Sequence, residues 1–198
     1  MTPTRSLRHF EALYAASEDP WQVRERWYEQ RKRALVLACL GQPRYRGAFE
    51  PGCGNGEMTA CLAPRCERLL ACDGAASAVA AARKRVGDVA GTRIEQRSLP
   101  ADWPVGEQFD LVLISELGYY FDGADLEALL ARARASLADD GELVLCHWLH
   151  DFDDRLTPTA ALHAMAAALP GLERTVHYQD CDFLLDAWRA LPASTEAA

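Results

Sequence analysis

A chain of 198 residues that is 49% hydrophobic and 25% charged is long enough for one domain with a substantial core. Its formal charge of -8 excludes a phosphate-tracking nucleic-acid surface, which needs clustered Lys and Arg. Seven cysteines with no C-x-x-C pair exclude a disulfide framework and a zinc site. No metal is therefore expected, and the thiols read as reduced residues of a cytoplasmic protein. No apolar leader stands near Met1 and no run approaches ~18 apolar residues, so no membrane partner is expected either.

The N-terminal part reads as two helices. His9–Ala16 carries Phe10, Leu13 and Tyr14 at helical spacing. Asp19-Pro20 then offers an N-cap and a first helical residue for a longer helix from Trp21 to Leu40. Its basic residues, Arg24 to Arg33, read as a solvated face; one of them, Arg31, is the candidate to turn inward to a ligand carboxylate.

From Arg46 short apolar runs alternate with helical stretches, the pattern of a parallel α/β sheet. Strands are expected at Ala48–Glu50, Arg68–Asp73, Arg93–Arg97, Phe109–Ser115 and Glu142–Trp148. Helices are expected at Met58–Ala63, Ala75–Val86, Leu126–Leu137 and Thr157–Leu169. Arg174–Tyr178 and Phe183–Trp188 complete a seven-stranded sheet as a C-terminal antiparallel hairpin. The tail after Leu191 is small and polar and is expected to fray. There is no internal repeat and no linker, so residues 1–198 read as a single domain.

The run Glu50-Pro51-Gly52-Cys53-Gly54-Asn55-Gly56 organises this layout. Gly52, Gly54 and Gly56 permit positive φ and a sharp strand-to-helix turn, and they let a ligand lie against the backbone. The spacing is neither G-x-G-x-x-G nor a Walker loop. It resembles motif I of the class I S-adenosylmethionine (SAM)-dependent methyltransferases. In an open α/β sheet the ligand lies beyond the strand carboxyl ends. There Asp73 stands where a ribose-binding acid falls, and Ser98 with Leu99 can receive an adenine ring. Ser115 and Glu116 lie where the methyl group would point. Trp21, Tyr28, Tyr119 and Tyr120 can offer ring faces to a sulfonium. NAD would call for a different loop and a longer chain.

More of the chain resembles the NodS family of SAM-dependent methyltransferases. The matching segments are Asp19-Pro20-Trp21, Tyr28-Glu29-Gln30-Arg31-Lys32, the glycine run, Asp102-Trp103-Pro104, Ser115–Tyr120, His147-Trp148 and Asp182–Trp188. The resemblance implies a Rossmann-like fold and N-methylation of a free amine on a deacetylated chitooligosaccharide, with the oligosaccharide as partner; a monomer or weak homo-oligomer is expected. It also implies that the N-terminal helices, residues 1–40, close over SAM as a lid and bring Trp21, Tyr28 and Arg31 to it. Ser98 departs from the pattern, since an Asp often stands there. An attacking amine must be neutral, and His147, Glu116 and Tyr120 are the candidates to assist it, as base, electrostatic group and orienting hydroxyl. Methyl transfer to oxygen or nitrogen of another small molecule is the alternative, and a non-catalytic SAM-binding module the third.

Overall fold

Phe109–Ser115 forms the central strand because nearly every residue in it is apolar and both of its faces are covered. Leu111, Val112, Leu113 and Ile114 are fully buried, each contributing about 2 kcal/mol from lost apolar surface. Alternation divides them. Leu111 and Leu113 join one core cluster, Val112 and Ile114 the other. The computed structural model describes residues 5–192, with side chains from Leu7 onward.

In chain order the elements are α1 (Arg5–Ala16), α2 (Trp27–Cys39), β1 (Tyr45–Pro51), α3 (Glu57–Leu62), β2 (Cys66–Asp73), α4 (Ala76–Val86) and β3 (Thr92–Gln96), followed by β4 (Phe109–Ser115), α5 (Gly123–Ala135), β5 (Leu137–Trp148), α6 (Thr159–Ala167), β6 (Leu172–Gln179) and β7 (Phe183–Ala190). The seven strands form one sheet in the order β3-β2-β1-β4-β5-β7-β6. All neighbours are parallel except at β7, which runs antiparallel to both β5 and β6. This is the expected seven-stranded, mostly parallel α/β sheet with a C-terminal antiparallel hairpin. The connection order reverses between β1 and β4, so a crevice opens at their carboxyl ends. Val36, Met58 and Leu62 pack α2 and α3 on one face; Leu126, Leu129 and Leu162 pack α5 and α6 on the other.

Two boundaries differ most from expectation. The second helix begins at Trp27, not Trp21. Asp19 does cap, but it caps a turn: Oδ1 accepts the Val23 amide at 2.8 Å and Oδ2 that of Arg24 at 3.1 Å. Gln22 has φ of 56°, which no helix accommodates. Strand β5 starts at Leu137 rather than Glu142, and Asp140 (φ 59°) and Gly141 form an irregularity within the strand instead of a turn before it. The tail expected to fray lies, from residue 193 on, outside the described residues. No helix among the described residues is long and apolar enough to cross a membrane.

Candidate functional site

The turn after β1 is held by β2. The Cys72 carbonyl accepts the amides of Gly52 (2.7 Å) and Cys53 (2.9 Å). Asp73 completes the turn: Oδ2 accepts the Gly54 amide at 3.0 Å and Oδ1 that of Ala75 at 2.9 Å. Burial pushes the Asp73 carboxyl up, while the amides of Ala75, Gly54 and Gly74 pull the other way. Gly54 has φ of 54°, and a Cβ there would lie 2.5 Å from the Tyr14 hydroxyl of α1. The turn therefore needs glycine for both conformation and close approach. Gly56 (φ 82°) serves packing as well as conformation, because a Cβ on it would meet the Ala82 backbone of α4 at 2.9 Å.

Glu50 ends β1 as a buried side chain, and its Oε2 has no hydrogen-bond partner. Burial pushes its carboxyl up to about 8, against the pull of the nearby Thr59 hydroxyl and with the Asp73 charge adding to the shift. An orphaned carboxylate oxygen beside a glycine turn fits a ligand that brings a cationic or hydroxyl donor. The shift also fixes a sign. Above ~4.3 the unfolded chain has released this proton, while the folded chain keeps it up to about 8. Stability therefore falls as pH rises through that window, by at most about 5 kcal/mol. Glu50→Gln is expected to flatten the decline in melting temperature of the ligand-free protein between about pH 5 and about pH 8. An unchanged slope would contradict this assignment.

The mouth of β4 is built around Glu116, whose φ of 55° turns its side chain back over the strand end. Oε1 accepts the Lys32 ammonium at 2.8 Å and the Tyr28 hydroxyl at 3.1 Å. Oε2 accepts the Trp148 amide at 3.1 Å and the Tyr119 hydroxyl. Loss of solvent opposes its ionisation, yet Lys32, Tyr119 and the Trp148 amide hold its carboxyl below the ordinary range. Lys32 is 3% exposed. It also pairs with Glu29 at 2.9 Å and lies 4.9 Å from the Tyr28 ring centre.

A cavity of ≈ 1430 Å³ joins the two regions. Of the residues singled out from the sequence, Trp21, Tyr28, Glu50, Gly52, Gly54, Asp73, Ser98, Leu99, Ser115, Glu116 and Tyr120 line it. Phe10 meets Tyr120 edge-on at 4.8 Å and Tyr14 meets Trp21 at 5.5 Å, so α1 and the following turn form one wall. The Ser98 amide, expected to meet an adenine, is taken by Asp102 Oδ2 at 2.9 Å.

Three candidates do not line it: Gly56, packed on α4, and two side chains that point elsewhere. Arg31 does not line the cavity. Its guanidinium binds Asp180 at 2.5 Å and Asp182 at 3.1 Å, next to the Phe183 ring, and so braces the β6–β7 link. His147 is fully buried on the α6 side of the sheet. Its Nε2 accepts the Gly118 amide at 3.0 Å, and its Nδ1 faces His163 Nε2 at 3.0 Å. His163 in turn meets Asp186 at 2.7 Å. Burial and the neighbouring His163 hold the imidazole well below its ordinary range. His147 thus anchors the turn that follows Glu116 and has no route to a substrate as a base.

A buried cation faces inward at Lys32, one residue from Arg31, and sequence reasoning missed it. Glu29, Tyr14 and the Asp19–Asn55 contact (3.1 Å), which ties the glycine turn to the α1–α2 connection, were missed as well. The helical phase of Tyr28, Glu29 and Lys32 was the available signal, since i, i+3 and i+4 share a face.

A sheet in this order with a glycine turn at its switch point defines the class I methyltransferase fold. A family model described as Nodulation protein S (NodS) matches residues 9–152. The chain belongs to this family. Nodulation protein S of Rhizobium tropici is 31% identical over 136 residues, which are 65% of this chain and 55% of the relative. That of Sinorhizobium fredii (strain NBRC 101917 / NGR234) is 30% identical over 139 residues, 65% of this chain and 60% of the relative. The chain spans 55–62% of the length of the curated relatives it matches. A solved Pseudomonas syringae protein, provisionally described as a methyltransferase, is 48% identical at a TM-score of 0.73, with 83% of this chain and 99% of that chain covered. N-methyltransferase NodS from Bradyrhizobium japonicum WM9, in complex with S-adenosyl-L-homocysteine, superposes at a TM-score of 0.83 with 22% identity, covering 95% of this chain and 99% of that one. At that identity the likeness speaks for the fold.

Proposed function

We propose that this protein is a SAM-dependent methyltransferase that N-methylates a free amine of an amino sugar or a deacetylated chitooligosaccharide-like glycan. The observation that carries the reading is the cavity itself: a glycine turn, the partnerless Glu50 oxygen and Asp73 open into the same ≈ 1430 Å³ space as Glu116. Pockets for one drug-sized ligand are roughly 300–1,000 Å³, so there is room for a donor and an acceptor together. When bound, SAM would supply a methyl group on a positively charged sulfur.

The chain's residues then have defined work. Asp73 keeps lone pairs free beyond its two backbone bonds and accepts the ribose hydroxyls. Glu50 accepts from the amino end of the cofactor. Trp21, Tyr28 and Tyr120 offer ring faces around the sulfonium. Leu99 packs against the adenine, and Ser98 and Ser115 border the cofactor at the ends of β3 and β4. Glu116 stays ionised, with all four donors in place, and sets the local potential while Tyr120 orients the acceptor. Residues 1–40 act as a lid within one catalytic domain. Displacement at carbon needs alignment more than proton transfer, so positioning supplies most of the rate.

Transfer to an alcohol would require a base, and His147, on which that reading would lean, is buried away from the cavity. The test uses labelled SAM with a deacetylated chitooligosaccharide, its fully N-acetylated counterpart and simple alcohols. Label is expected on the first alone. Equal labelling of the N-acetylated glycan or of alcohols would refute amine transfer.

A further inference from the structure

With His147 off the cavity and Glu116 saturated by four donors, the mouth of β4 still holds one carboxylate with unused capacity. Glu29 lies on the first turn of α2, lines the cavity, and has a side chain 13% exposed. Its Oε2 meets Lys32 at 2.9 Å, and among the described residues its Oε1 has no hydrogen-bond or ion-pair partner. The same Lys32 ammonium holds Glu116 at 2.8 Å, so Glu29 and Glu116 flank a single cation at the point where donor and acceptor would meet.

We propose that Glu29 is a catalytic residue that receives the acceptor's primary amine: its free oxygen holds the incoming ammonium and takes the proton that must leave before nitrogen can attack. The proposal rests on the amine-methyltransferase reading above.

The step balances. The ammonium N–H bond breaks toward Glu29, leaving a neutral amine and a protonated carboxyl. The nitrogen lone pair then forms the bond to the methyl carbon as the carbon–sulfur bond breaks, and that pair stays on sulfur as a neutral thioether. Nitrogen carries the positive charge, and Glu29 passes its proton to solvent. The surroundings suit this work. Burial pushes the Glu29 carboxyl up, and the charge of Glu116 at the end of β4 adds to this; Lys32 and Arg33 on α2 pull it down. A carboxyl raised toward the working pH is a better proton acceptor than an ordinary one. Lys32 keeps two carboxylates from repelling one another while leaving Glu29 Oε1 open to a second cation.

The test reads binding as well as turnover. With S-adenosylhomocysteine present, Glu29→Gln is expected to weaken binding of glucosamine oligomers by about tenfold to a hundredfold, the range for a hydrogen bond to a charged group. Affinity for the N-acetylated oligomer and for S-adenosylhomocysteine alone is expected to stay within about twofold. The acid limb of kcat/KM should move up toward the amine's own pKa with ordinary amines and be little changed with weakly basic ones. Glu29→Asp should restore part of the preference. A wild-type measurement guards against a variant that fails to fold: with S-adenosylhomocysteine present, the wild type should bind glucosamine oligomers more tightly than their N-acetylated counterparts, and the preference should fade as acid protonates the Glu29 carboxylate. Wild-type binding with no preference for the amine over the N-acetylated oligomer, or unchanged amine affinity and pH profile in Glu29→Gln while the wild type methylates amines, overturns the role of Glu29 alone. A wild type that binds S-adenosylhomocysteine but no amine overturns the amine reading and this role together.

Discussion

Asp73→Ala is expected to bind S-adenosylhomocysteine at least about a hundredfold more weakly than the wild type. Asp73 ties β2 to the glycine turn through the Gly54 amide, holds the start of its own loop through that of Ala75, and lines the cavity. Hydrogen bonds to a charged acceptor are worth about 1.5–3 kcal/mol each. Removing the carboxylate loses those to the ligand and also leaves the Gly54 and Ala75 amides without a partner. The cost therefore divides between binding and folding. Asp73→Asn separates the two: an amide oxygen can keep one backbone bond, while its NH₂ faces a donor. Isothermal titration beside thermal melts measures both parts. Wild-type affinity in Asp73→Ala would show that the turn does not hold the ligand.

Lys32→Met is expected to destabilise the fold by about 3–5 kcal/mol, the range for stripping one partner from a buried ion pair. For a domain of this size that lowers the melting temperature by roughly 10 °C. Lys32 lies at the centre of the site, 2.8 Å from Glu116 and 2.9 Å from Glu29. Without it, two carboxylates share a poorly solvated space and their folded-state pKa values rise. A carboxyl raised in the folded state loses stability as pH rises above its unfolded value. The deficit should therefore be larger at pH ~8 than at pH ~5, as read from melts across pH. Adding Glu116→Gln should restore part of the loss, because it removes one of the stranded charges. A pH-independent loss, or none, would refute the assigned pairing.

Lys32 also shows where sequence reading reaches its limit. The β4 run, the glycine turn and Asp73 were legible because their signals are local. A mostly apolar strand is buried on both faces, and Gly52, Gly54 and Gly56 together permit the sharp turn that follows β1. The terminal hairpin was legible for the same reason, with two short runs flanking Gln179–Asp182. Arg31 and Lys32 are a different case. They are adjacent on α2, and about 100° of helical rotation decides which one faces the cavity. The expected helix began six residues early, and only the Gln22 backbone reveals the break. His147 was misread because strand parity puts it in phase with Leu143 and Leu145, under α6 rather than at the strand end. Its partner His163 lies on a helix that nothing in the local sequence ties to β5. Glu29 went unnoticed because a carboxylate three residues before a lysine reads as an ordinary surface pair.

The central claim is that an adenosyl-bearing ligand lies across the turn after Glu50, between Asp73 and Glu116. Calorimetric titration of the purified wild type with S-adenosylhomocysteine tests it most directly. The account predicts one molecule bound per chain with micromolar affinity, accompanied by a rise in melting temperature. No heat and no thermal shift at millimolar ligand would contradict it.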